Sequence, residues 1–209
     1  MLSRREFLKL CMGTVLSFSL GEILLPHVTR ALAEGGIKKP PLIWLELGSC
    51  TGNTVSLENA ANPTLIKLLL DVIDLRYHWT FNVAHGELAV AALFETVQKH
   101  AGEFYLVVEG SVMTAYEGKL NYVFVRDGQR VTGLQALQEI APQAKYLVNL
   151  GDCACFGGPH AMHPNPGGAK AVGDVIKHKA MINVPGCPAH PDWLIGTLSH
   201  LMMYGLPEI

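Results

Sequence analysis

Apolar residues in this chain fall in short runs that switch between a strand-like and a helix-like period. Residues 42–47 (Leu-Ile-Trp-Leu-Glu-Leu) follow the lead Lys38-Lys39-Pro40-Pro41 as a nearly unbroken apolar run, the mark of a strand buried on both faces. A helix is predicted over 63–75, with Pro63 in the first turn, where its missing N–H has no helical partner to lose. Residues 79–83 read as a second strand. Across 87–100, Leu88, Ala91, Ala92, Leu93 and Val97 recur at three- and four-residue spacing and give a helix one apolar face. A third strand is predicted over 104–108.

The rhythm then breaks. Residues 121–126, Asp127-Gly128 and 129–131 read as a hairpin, because Asp-Gly suits a type I′ turn, and this hairpin is expected at the sheet edge. Alternation resumes with a helix over 134–140, a strand over 145–150, a helix over 169–177, a strand over 181–184 and a closing helix over 191–204. Repeated strand–helix alternation implies the α/β class: an open, mostly parallel sheet with helices on both faces and right-handed crossovers.

The N-terminus carries an address. Ser3-Arg4-Arg5-Glu6-Phe7-Leu8-Lys9 precedes an apolar stretch over 10–20, and Ala31-Leu32-Ala33 forms a small-x-small cleavage pattern. This resembles a twin-arginine export signal over 1–33, leaving one domain over 34–209. The eleven residues of the apolar stretch cover only about half a bilayer span, which argues against a membrane anchor. The twin-arginine route carries proteins already folded, often with a cofactor inserted. Cys11 lies within the signal and has no part in the fold. A net charge of −2 and a pI near 6.5 give no electrostatic reason to expect nucleic acid.

Four cysteines remain, and they set the chemistry. Cys50, Cys153, Cys155 and Cys187 lie in three loops, each just after a strand-like run, where open α/β sheets bind ligands. Gly48, Gly52, Gly151, Gly157, Gly158 and Gly186 supply tight turns whose amides can point at sulfide. The periplasm is oxidising, so two disulfides are an alternative, but the core is large enough without staples. Zinc needs four closed ligands, and C-x-C with two lone cysteines matches no common zinc spacing. An iron-sulfur site is the leading reading. Nine histidines raise a second metal possibility, yet His160 and His163 lie in a Gly/Pro loop without matching partners, and His190 and His200 read as loop and helix-surface positions.

Five blocks in order carry a resemblance: Trp44-Leu45-Glu46 with Cys50-Thr51-Gly52, Val107-Val108-Glu109-Gly110-Ser111, Gly151-Asp152-Cys153-Ala154-Cys155-Phe156-Gly157-Gly158, Pro164-Asn165-Pro166, and Pro185-Gly186-Cys187-Pro188. Together they resemble the small subunit of nickel-iron hydrogenases, with the cluster subunit of respiratory complex I a more distant likeness. The resemblance implies a flavodoxin-like domain carrying the proximal 4Fe-4S cluster beside the nickel-iron centre of a separate large subunit. It implies Cys50, Cys153 and Cys187 as ligands, Glu109 near the cluster, and hydrogen oxidation as the direction of flow. It further implies residence in the periplasm or on the outer face of the cytoplasmic membrane, a further electron-transfer protein, and membrane association through partners.

The chain departs from the family pattern twice. Where C-x-x-C-T-E-S is usual, Cys50-Thr51-Gly52-Asn53-Thr54-Val55-Ser56 stands, so the fourth ligand is open; Cys155 is favoured as the cluster-binding thiolate, with the Ala154 backbone bent before Gly157-Gly158 to aim both thiols inward, and Asn53, Asp152 or solvent are the alternatives. The usual C-terminal ligands for medial and distal clusters are also missing by Ile209, which fits a piece of a longer chain or electron transfer to a third polypeptide. Two rivals from other classes stand beside the cluster: a flavin or nucleotide phosphate cradled by residues 50–56, and a cluster-free structural partner.

Overall fold

The computed structural model describes residues 39–207, so the expected signal over 1–33 and Cys11 lie outside the described residues. Strand β1 (Pro41–Glu46) is buried throughout, and after the Cys50 loop the chain makes a five-residue helix, α1 (Gly52–Ser56). A short helix, α2 (Leu65–Lys67), runs straight into a π-helical turn over Leu68–Val72. Strand β2 (Asp74–His78), helix α3 (Glu87–Lys99), strand β3 (Tyr105–Glu109) and the short β4 (Val112–Met113) follow. The hairpin β5 (Tyr122–Arg126) and β6 (Gln129–Thr132) leads into α4 (Gly133–Ile140), whose start is fixed by a capping box between Thr132 and Gln135. Then come β7 (Tyr146–Leu150), α5 (Gly151–Phe156), β8 (Ala169–Lys170), α6 (Val172–Val175), β9 (Met181–Val184) and α7 (Pro191–Tyr204).

Five strands form one sheet in the order β2-β1-β3-β7-β9, every neighbour parallel. Because alternate side chains of a strand point to opposite faces, each strand feeds two cores. Ile43, Leu45, Leu106, Val108 and Leu147 pack beneath α3 and α4 against Leu93, Val97, Leu137 and Ile140. Leu42, Trp44, Val107, Val148 and Leu150 pack on the other face against Leu57, Leu68, Leu194 and Leu198. Both faces are thus covered, as the apolar runs require. The strand order reverses between β1 and β3, which is the switch point of a flavodoxin-like sheet and the place where such sheets hold ligands.

Four expectations are corrected. The helix predicted over 63–75 ends at Val72, and the second strand is Asp74–His78 rather than 79–83. Residues after His78 instead fold back on it: His78 Nδ1 accepts the N–H groups of Thr80 and Phe81, and Asn82 Oδ1 accepts His78 N–H. The hairpin does not join the sheet edge. It forms a separate two-stranded sheet over α3 and α4, with Phe124 edge-on to Phe94 and Arg126 both over the Phe94 ring and paired with Glu139. The helix predicted over 169–177 shrinks to α6, because the Asn165 side chain bonds both the N–H and the C=O of Ala169 and holds it extended for pairing with β4. Among the described residues no helix is long and apolar enough to cross a membrane.

Candidate metal centre

Cys50, Cys153 and Cys187 reach one place because β1, β7 and β9 all end at the same edge of the sheet. Thr51 takes a left-handed conformation (φ 63°), which turns the chain sharply after Cys50 and into α1. A Cβ on Gly52 would stand 3.1 Å from Cys50 Sγ, and one on Gly158 (φ 58°) would stand 2.5 Å from Cys153 Sγ. Both glycines therefore leave room that the thiols use. All three cysteines are free thiols; Cys50 and Cys187 are exposed and Cys153 is partly buried. Burial pushes the Cys153 thiol up, and the nearby Cys187, Cys50, Asp152 and Glu109 push it further, since each added negative charge disfavours another thiolate. A cationic iron group relieves that repulsion, so the donor set fits one. Among the described residues no three His, Cys, Asp or Glu side chains close around a point as a single ion requires. The three thiols are close enough to act on one another electrostatically, and the ligands of a multi-iron cluster stand at separate corners rather than around one point.

Cys155 is not brought to this group. The sequence around it was expected to bend as a glycine-rich turn that aims both thiols inward, but Gly151–Phe156 is helical and closed by Gly157 in the left-handed region (φ 89°). Residues two apart on a helix point about 200° apart around its axis, so Cys153 and Cys155 face opposite ways. Cys155 Sγ is buried, donates to the Asn149 carbonyl at 3.3 Å, and has its thiol pushed up to about 12 by desolvation.

Beneath the thiols lies Glu109, with no solvent exposure. Its carboxylate accepts hydrogen bonds from Trp44 Nε1 (3.3 Å), Ser49 Oγ (3.1 Å), Asn53 N (2.9 Å), Asn53 Nδ2 (3.1 Å), Thr54 N (3.2 Å) and Thr54 Oγ1 (2.8 Å). The first amides of α1 are thereby committed to an internal anion. A phosphate cradle over residues 50–56 has lost its donors to Glu109, which overturns the flavin or nucleotide reading of that loop. Asn53 extends the same network: its Oδ1 accepts Ala189 N–H at 2.8 Å, and the amide packs directly on Gly151, where the left-handed backbone leaves no space for a Cβ. Asp152 plays a similar part for the third loop, taking Gly186 N–H on Oδ1 at 2.7 Å while donating its own N–H to Gly186 O at 2.9 Å.

Two buried titratable groups flank this network. Glu46 stands beside Glu109 on the next strand; burial raises its carboxyl, the Thr51 hydroxyl opposes the rise, and Glu109 adds to it. Its second oxygen has no hydrogen-bond partner among the described residues. His78 is fully buried, lies 3.4 Å from Thr54 Oγ1 through Nε2, and is lowered to about 4 by desolvation. Nδ1 accepts backbone N–H groups, so Nε2 carries the proton and donates to Thr54.

Residues 50–201 match the family described as NADH ubiquinone oxidoreductase, 20 Kd subunit. The chain is also 39% identical to the small subunit of the periplasmic [NiFeSe] hydrogenase of Desulfomicrobium baculatum, over 100% of this chain and 71% of that one. The chain belongs to the nickel-iron hydrogenase small-subunit family. Within that family it is 39% identical, over 96% of its length, to small subunit 1 of the periplasmic [NiFe] hydrogenase of Nitratidesulfovibrio vulgaris, of which it covers 61%. A chain of the reduced, active D. baculatum [NiFeSe] hydrogenase superposes with a TM-score of 0.78 at 39% identity, covering 82% of this chain and 67% of that one. This small-subunit relative spans between 61% and 71% of the two curated sequences.

For a hydrogenase small-subunit sequence, the three exposed or half-exposed thiols were legible from their flanking glycines and prolines. The roles of Asn53, Asp152, Glu46 and His78 were not. A usable signal existed for one of them: Glu46, like Glu109, ends an otherwise apolar strand, where a charge has no place unless something receives it.

Proposed function

We propose that this chain is the electron-transfer small subunit of a nickel-iron hydrogenase, in which Cys50, Cys153 and Cys187 hold the proximal 4Fe-4S cluster beside the nickel-iron centre of a separate large subunit. The observation that carries this is the convergence of three thiols from three strand ends at the β1/β3 switch point, over a buried carboxylate that ties the loops together. The cluster, when bound, supplies one-electron transfer; the thiolates hold its iron, and burial with hydrogen bonding sets its potential. Glu109, Asn53 and Asp152 keep the three loops from separating. Val55, Phe156, Met162 and Trp193 follow the cysteines closely in sequence and are exposed, an apolar set that fits a face for the large subunit. Hydrogen oxidation in the periplasm, with electrons passed to a further protein and membrane association through partners, completes the reading.

Iron and acid-labile sulfide in the anaerobically purified protein test it. Cys50→Ser, Cys153→Ser and Cys187→Ser are each expected to lose most of the iron, and Cys155→Ser to keep it. Full iron retention in any of the first three removes that residue from the ligand set, and absence of iron and sulfide from the wild-type protein overturns the cluster itself.

A further inference from the structure

The three thiolates leave one corner of a four-iron cluster without a named protein ligand, and the three residues expected there, Asn53, Asp152 and Cys155, each hold a hydrogen bond within the protein. Asn53 is nearly buried, with Nδ2 on Glu109 Oε1 and Oδ1 on Ala189 N–H. Turning it outward would strip a partner from both in a buried site. Asp152 Oδ1 is held by Gly186 N–H at 2.7 Å. Cys155 Sγ is on the far side of α5, on the Asn149 carbonyl. Ser49 Oγ donates to Glu109 and accepts Thr51 N–H, both at 3.1 Å. In the chain by itself this edge is open to solution, since Cys50 and Cys187 are exposed, and a small donor reaches it there or from the space left under the large subunit.

We propose that this chain gives its iron-sulfur cluster three thiolates and, among its described residues, no fourth side chain, so that one iron takes a small oxygen or sulfur donor from solution. The inference rests on the cluster reading above and adds a ligand-binding position to it. Asn53 is then a positioning residue: it locks the Cys50 and Cys187 loops to Glu109 and does not bind iron. An iron held by sulfide and a solution donor exchanges readily, whereas thiolate-held irons do not.

The experiment uses the full-length protein as purified under anaerobic conditions, with any subunit that accompanies it. Ferricyanide is the oxidant: a 4Fe-4S cluster of charge 2+ gives up one electron to it and one iron(II) ion to solution, leaving a 3Fe-4S cluster of charge 1+. About one iron in four is expected to leave, with a three-iron signal appearing in electron paramagnetic resonance. Once ferricyanide is removed and dithionite has returned one electron to the three-iron cluster, added iron-57(II) should restore the four-iron cluster of charge 2+, with the label in a single Mössbauer site whose parameters shift when 2-mercaptoethanol is added. Cys155→Ala should behave as the wild type does, and Asn53→Cys should retain all four irons through the same treatment. A wild-type cluster that keeps four irons overturns the inference while leaving the cluster reading intact. So does a Cys155→Ala protein that loses iron before any oxidant is added. A wild-type protein that contains no iron or sulfide at all fails the earlier reading instead, and the two failures are distinguished by the first metal analysis.

Discussion

Glu109 is fully buried and its two carboxylate oxygens accept from six donor groups. Four of the six groups sit on Asn53 and Thr54, so the residue is in effect the internal cap of α1. Glu109→Gln replaces one acceptor oxygen by an amide that must face donors. The expected cost is about 3 kcal/mol, which for a chain of this size lowers the melting temperature by about 6–12 °C in calorimetry of the purified protein. An unchanged melting temperature would show that the network is ornamental to stability. The residue scale is also where the sequence was least readable. Cys50, Cys153 and Cys187 announce themselves by position after apolar runs, but the separation of Cys155 from Cys153 depends on whether the six residues Gly151–Phe156 coil or turn. Composition favours neither; the helix forms because its start is tied to Gly186 and its end to Gly157.

Among the elements, the strands central to the sheet were legible because burial on both faces leaves an unmistakable apolar run. Edge strand β2 was not, since Asp74 and Arg76 face outward and pair with each other, so its pattern is half polar and the apolar Trp79 and Phe81 beyond it drew the boundary forward. What ends β2 has a consequence for pH. His78 is neutral in the fold, with its value lowered from 6.5 to about 4, while the unfolded chain takes up a proton below 6.5. Stability is therefore fully present above pH 6.5, falls as pH drops from 6.5 toward 4, and levels off below. The loss from this one group is about 3 kcal/mol. Glu46, whose carboxyl is raised, acts in the opposite sense, its contribution being present at low pH and lost as pH rises through its folded value. Urea melts of wild type and His78→Gln at intervals from pH 7 to pH 4 should show the wild-type slope flattened in the variant. Equal slopes would mean that His78 is reached by protons in the folded state.

On the scale of the whole molecule, the twin-arginine pattern and the cysteine loops make a joint demand. If the chain travels folded and loaded, Arg4→Lys together with Arg5→Lys should hold both it and its large subunit in the cytoplasm, as fractionation and immunoblotting would reveal. A large subunit found in the periplasm of that strain would rule out shared transport. The bond from Asn53 to the Ala189 amide spans 136 residues of chain, and those from Asn53 to Glu109 span 56. Contacts so distant in sequence close last, because the entropy of looping the intervening chain is recovered only once the sheet exists. The three thiols consequently stand together only on a chain whose first and last strands are already in place. On the proposed ligand set, iron delivery that requires all three would become a checkpoint: a half-made or misfolded copy offers scattered cysteines, and only a finished one offers a socket.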